Sequence, residues 1–285
     1  NSIKLVGGPF LYLSGLSTMK LFLSVLLLAT AALAAPSEYE PIQLNYHEEV
    51  GIPEAARIKA AEEAMDFDGS RIAGGSAASL GQFPFMGGLV ITLANGQTSV
   101  CGSAMVSNTR LTTAAHCWFD GRQNARQLTV VLGSIRLFSG GTRQNTNRVT
   151  IHGSYNPNNL QNDVAVITIN HVAFTNNIRS IGLASGSNAF AGQNAQAIGF
   201  GRTDANIGQN QVLSHVTMPV ITNAECQRTF GNVIIATCPG DSGGPLRRQL
   251  LIGITSFVAR AGCQRGMPAG FARVSSFNNW IRQRM

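Results

Sequence analysis

The chain has 285 residues, 44% of them hydrophobic and only 12% charged, with 31 glycines and a formal net charge of +7. Such a length buries a sizeable core in one or two domains, and so few charges among so many glycines exclude a body of long solvated helices. The arginines are scattered rather than clustered, without a helix-turn-helix, zinc-finger or RNA-platform signature, which argues against a nucleic-acid partner.

Residues 1–18 precede the first Met and read as a non-native or untranslated leader without function. Met19-Lys20 opens MKLFLSVLLLATAALA, a basic start, an apolar run and an Ala32-Leu33-Ala34 exit. This is the layout of a secretory signal peptide over 19–34. The run falls short of the roughly 18 to 20 apolar residues that a membrane span needs, so the expectation is secretion without a membrane anchor. Residues 35–71 then hold nine acidic side chains against Arg57, Lys59 and Arg71. From Ile72 onward there are 16 Arg, no Lys and five acids: Asp120, Asp163, Asp204, Glu225 and Asp241. An acidic segment ahead of a basic body reads as a pro-segment held partly by charge and later removed; a flexible acidic linker is the alternative. The exclusive use of Arg fits work in alkaline fluid, where an ammonium loses its proton and a guanidinium does not. Compositional drift explains it equally well.

The body from Ile72 is a series of short alternating or apolar runs separated by Gly, Asn and Ser: QLTVVLGSIRL, DVAVITI, NAQAIGFG, VLSHVTMPV and LLIGITSFV. Regular spacing of such runs predicts an all-β barrel or sandwich. ITNAECQRTF predicts a short helix, and SSFNNWIRQRM a terminal one capped by Ser275 or Ser276. Five cysteines in a secreted chain predict disulfides with one left over. No CxxC spacing or His/Cys cluster suggests a metal, and no organic cofactor is implied.

Three segments converge on one chemistry. TTAAHCW carries His116, NDVAVI carries Asp163 ahead of a buried strand, and GDSGGPL carries Ser242 in a glycine-rich turn. Singly, each has an ordinary structural explanation. Together, in the order His, Asp, Ser, they form a chymotrypsin-type triad. A serine hydroxyl is a weak nucleophile that needs a neighbouring base, here His116. The base needs a buried carboxylate, here Asp163, to fix its tautomer and stabilise the imidazolium.

Through SNTRLTTAAHCW, NDVAVI, ECQRTFGNVII, CPGDSGGPL and GITSF, residues 72–285 resemble the trypsin/chymotrypsin family of serine endopeptidases, the insect digestive chymotrypsins in particular. The resemblance implies two six-stranded antiparallel Greek-key β-barrels, an active site in the cleft between them, and a C-terminal helix docked outside. It implies an oxyanion hole from the backbone N–H groups of Gly240 and Ser242, and support of Asp163 by Ser256. Ser256, Phe257 and Val258 would form the substrate-binding wall, where Val258 stands in place of a more usual Gly and narrows the pocket mouth. Cleavage between Arg71 and Ile72 by a trypsin-like protease would free an α-amino group to pair with Asp241. The family bridges match Cys101–Cys117 and Cys238–Cys263, which leaves Cys226 over. Only 11 residues separate Cys226 from Cys238, so the partner of Cys226, the loop beyond it and most of the pocket floor are missing near Ala236-Thr237. Two readings with a role of their own follow, beside a third in which the chain is a splice or assembly variant of an active enzyme. One is a secreted zymogen of a monomeric digestive endopeptidase, acting on protein or peptide substrates and open to protein inhibitors. The other is a poorly active homologue that binds rather than cleaves.

Overall fold

The structure, a computed structural model, describes residues 41–68, 77–201, 212–230, 242–258 and 269–285. The leader, the signal peptide, the junction at Arg71-Ile72, the Ala236-Thr237 break, Gly240, Asp241, Cys238 and Cys263 lie outside the described residues.

Two antiparallel sheets build the body. The first joins β1 (Met86–Leu93), β2 (Thr98–Ser107), β3 (Arg110–Thr113), β4 (Ala125–Leu132), β5 (Thr142–Thr146), β6 (Val149–Ile151) and β7 (Ala165–Thr168) in the order β5-β4-β1-β2-β3-β7-β6. Asn95-Gly96 turns β1 into β2: Gly96 has φ +88° and the Asn95 side chain accepts from the Gln97 N–H. Such a turn needs a residue at ease with positive φ. It sets the register Met86↔Ala104 through Thr92↔Thr98. That register sends Leu89, Ile91, Met105, Leu111, Leu128, Leu132 and Ile167 into one fully buried core. The second sheet joins β8 (Asn194–Gly199), β9 (Ser214–Pro219), β10 (Pro245–Arg247), β11 (Leu251–Phe257) and β12 (Gly270–Arg273) in the order β12-β11-β10-β8-β9.

Among the described residues three α-helices accompany the sheets, α1 (Ile52–Asp68), α2 (Asn223–Phe230) and α3 (Val274–Arg282), with a π-helical turn, His47–Gly51, just ahead of α1. The terminal helix starts two to three residues earlier than a cap at Ser275 or Ser276 implies. The chain passes directly from β12 into α3 through buried Val274, and no side chain caps the helix, so neither Ser275 nor Ser276 serves as its cap. Asn278 donates to the Ala184 carbonyl at 2.7 Å, and His152 packs on Phe277 and Trp280. Arg110 of β3 donates to the Arg284 carbonyl, so the helix end is tied to the first sheet.

Helix α1 belongs to the acidic segment, where the sequence reading placed no secondary structure. Pro53 sits in its first turn, where a missing N–H costs nothing, and an alanine-rich run with high helix propensity follows. Among its described side chains Glu54, Ala55, Ile58 and Glu62 are buried, a spacing that puts them on one face, and buried Gly51 ends the π-helical turn just ahead of it. That face lies against β2. A Cβ at Gly51 would stand 2.0 Å from Ser99 Oγ, so only glycine permits the approach.

Candidate active site

His116 enters the site on a tight 3-10 turn, Ala115–Cys117, that follows β3. A disulfide from Cys117 to Cys101 ties this turn to β2. Asp163 arrives just ahead of β7, and both side chains are 1% exposed. The carboxylate is fully engaged. Its Oδ1 accepts the backbone N–H of His116 at 2.9 Å, and its Oδ2 accepts from His116 Nδ1 at 2.7 Å and from the Ser256 hydroxyl at 2.5 Å. A buried ionised carboxylate is tolerable only when its lone pairs are used in this way. With Nδ1 committed to Asp163, the imidazole presents Nε2 as the atom free to take a proton.

Ser242 is positioned by two glycines behind it. Gly243 has φ +76°, and a Cβ there would fall 2.2 Å from Thr113 Oγ1 and 2.5 Å from the Gly102 carbonyl. On the other side, a Cβ at Gly102 would meet Gly244 Cα at 2.7 Å. The loop after Ser242 thus lies backbone to backbone on β2, and the Gly102 N–H donates to the Ser242 carbonyl at 2.7 Å. Side chains would hold the two apart. Ser242, His116 and Ser256 face one small cavity of about 20 Å³, roughly the room for a single water. Nevertheless His116 Nε2 has no hydrogen-bond partner among the described residues. The Ser242–His116 hydrogen bond is therefore not made in this form.

The acidic segment explains the closed cavity. The Gln43 N–H donates to the Val258 carbonyl at 2.9 Å, extending the wall of the cleft by one backbone pairing. Ile42 packs into a small apolar cluster with Cys226, Phe257, Val258 and Ala269. Tyr46 lies on His116 with ring centroids 4.7 Å apart, and its hydroxyl donates to the Val100 carbonyl at 2.8 Å. His47 is wholly buried; its N–H donates to Asp120 Oδ2, and its Nδ1 shares a hydrogen bond with Ser99 Oγ, each at 2.8 Å. Burial pushes the His47 imidazole down to about 4, against the opposing pull of Asp120 and with a further push from His116. Tyr155, half-buried nearby, is held well above the usual phenol range by desolvation and by the charges of Asp163 and Asp120.

The structure thus brings His116, Asp163, Ser242, Ser256, Phe257 and Val258 to one place. Sequence reasoning missed Gln43, Tyr46, His47, Ser99 and Asp120. The one available signal was an aromatic pair, Tyr46-His47, in an otherwise acidic stretch ahead of an alanine-rich run. Cys101, His116 and Cys117 lie close enough together to suggest a metal site. The two sulfurs are spent in the disulfide, so they offer no thiolate.

Comparison with known proteins agrees with this arrangement. The Trypsin family model matches residues 72–281. Collagenase of Hypoderma lineatum is 37% identical over 232 residues, 75% of this chain and 86% of that protein. The collagenase structure solved at 1.7 Å superposes with a TM-score of 0.68 at 36% identity, over 75% of this chain and 98% of that one. Alkaline trypsin A of Manduca sexta is 30% identical over 93% of this chain and 99% of its own length. Two sheets of seven and five strands with a terminal helix are the chymotrypsin-like two-barrel fold. The chain belongs to the trypsin family of serine endopeptidases.

Proposed function

We propose that the chain is the precursor of a secreted digestive endopeptidase in which Ser242, His116 and Asp163 carry the reaction. The observation that supports this reading is the Asp163 carboxylate, which accepts from His116 N, His116 Nδ1 and Ser256 at once. That network leaves His116 in the tautomer a general base needs. Once the Ser242–His116 hydrogen bond forms, Nε2 takes the hydroxyl proton as Oγ adds to the scissile carbonyl. The oxyanion is stabilised by the backbone N–H groups of Gly240 and Ser242. Collapse expels the amine, which takes the proton from His116, and water then hydrolyses the acyl-enzyme by the same route.

Maturation is cleavage between Arg71 and Ile72 by a trypsin-like protease, with the new amine of Ile72 pairing with Asp241 and no metal or cofactor involved. The mature enzyme acts as a monomer in the gut lumen, on protein substrates and under the control of protein inhibitors. An Arg-only body suits the alkaline medium that the names of the Manduca sexta trypsins denote. Val258 on the cleft wall favours small P1 side chains. No acidic residue lies between Val233 and Pro239 to attract a basic one. The test is a panel of otherwise identical peptides with Ala, Leu, Phe and Arg at P1, run on the cleaved chain and on Ser242→Ala. Cleavage after Ala and Leu by the wild type alone is expected. Equal, negligible turnover by both proteins would support the binding-only homologue instead.

A further inference from the structure

Among the described residues the acidic segment holds the body at the cleft, along β2 and the neighbouring Asp120, and at the far end of α1. At the cleft, Gln43 pairs with Val258 and Tyr46 covers His116. On β2, Tyr46 bonds Val100, His47 bonds Ser99, and Gly51 fits against Ser99. At the far end of α1, Glu62 acts as an anchor. Its carboxylate accepts the N–H groups of Leu137 at 2.5 Å and Phe138 at 3.1 Å, together with the Ser139 hydroxyl at 3.0 Å. Glu62 is 2% exposed, and Ile58, one turn earlier, is fully buried. A carboxylate with several such donors contributes more than a neutral hydrogen bond, and losing it would strand those donors. All of these contacts lie on the N-terminal side of Arg71. Cutting the Arg71–Ile72 bond therefore breaks none of them.

We infer that residues 41–68 are a clamp that stays bound after that cut and acts as a noncovalent inhibitor of the body, plugging the cleft with Gln43–His47 and holding on through Glu62. The groove formed by Val258, His116, Val100, Ser99 and Leu137–Ser139 is the binding site of this segment. The inference rests on the protease reading above only in calling the occupied cleft the place where substrates go. Latency then has two stages. The first cut frees the Ile72 amine, and the second event is departure of the clamp. Docking changes from an intramolecular to a bimolecular equilibrium at the first cut, so dilution begins to favour release only then.

The test uses the intact secreted chain, cut after Arg71 by limited trypsin digestion at neutral pH and run on a size-exclusion column. The wild-type segment is expected to co-elute with the body, and His116 to react slowly with a small histidine-directed alkylating reagent. In Glu62→Ala the segment should elute alone and His116 should react at least about tenfold faster. Glu63→Gln, on the exposed outer face of α1, should behave as wild type. Should Glu62→Ala not accumulate as folded protein, labelled synthetic 41–68 peptide is offered to the cut wild-type complex, and uptake is expected. Immediate separation of the wild-type segment, alkylation at one rate with and without it, or no uptake of the peptide would each overturn the inference. If the segment leaves Glu62→Ala and Ser242 still fails to react with an acylating reagent, the protease reading fails, while retention, read by co-elution, stands.

Discussion

The Tyr46 ring lies 4.7 Å from the His116 imidazole, centroid to centroid, and lines the same small cavity as His116 and Ser242. Its hydroxyl is fixed to the Val100 carbonyl, so the ring is held at both ends of its polar and apolar character. Replacing Tyr46 by Ala removes the cover and leaves Asp163 and Ser256 untouched. In the uncut chain, alkylation of His116 should then rise by about tenfold or more, measured by peptide mapping.

Docking of the segment should depend on pH through His47. The groups that face it are Asp120, His116 and Tyr46, with the exposed Glu48–Arg122 pair on the rim. Its bound-state value, about 4, lies below the free value of 6.5. The docked form therefore binds fewer protons between those limits. Docking is at full strength above about pH 6.5 and is lost progressively as the pH falls toward 4. At pH 5 linkage gives a weakening of about 30-fold. The check is co-elution of the cut segment between pH 4 and 8, with His47→Gln expected to flatten the profile.

Asp163→Asn keeps the shape of the site but cannot hold the same tautomer of His116. A loss of about 10⁴ in kcat is expected, with KM little changed. Ser256→Ala should cost less, about tenfold in kcat, because it removes one of three donors to a buried carboxylate. Steady-state kinetics on the cleaved chain decides both.

Gly243→Ala puts a Cβ at φ +76° into Thr113 Oγ1 and the Gly102 carbonyl. Backbone strain alone costs about 1 to 3 kcal/mol, and the overlap adds to it. Thermal unfolding should show a clear loss, and the fraction of chains able to acylate Ser242 should fall with it. Opening the Cys101–Cys117 bridge as Cys101→Ser with Cys117→Ser should cost about 3 kcal/mol for a loop of this size, read by the same melt.

Much of the body was legible because its signals are local. Alternating or apolar runs mark β4, β7, β8, β9 and β11, and GDSGG marks a glycine-rich turn, whereas the Asn95-Gly96 hairpin was not read from the sequence. Ser256 could be joined to Asp163 only through the family resemblance, since 93 residues separate the two and no short-range pattern links them. The clamp was illegible for a physical reason. Two of the buried positions of α1 are Glu54 and Glu62, so its inward face does not read as apolar. Glu54 is paired within the helix by Arg57, whereas the partner that makes the burial of Glu62 tolerable lies 75 residues downstream at Leu137. Acidic composition suggested a segment held partly by charge; the structure shows an ion pair to the body, Glu48–Arg122, beside specific hydrogen bonds and buried Tyr46, His47 and Ile58.

The most direct measurement is active-site titration of the secreted chain with a serine-directed acylating reagent, before the cut after Arg71 and after both cutting and removal of the segment. The account predicts negligible labelling before, and one acyl group per chain on Ser242 after, with none in Ser242→Ala. Stoichiometric labelling of the uncut chain, or no labelling of a folded body freed of residues 41–68, would contradict it.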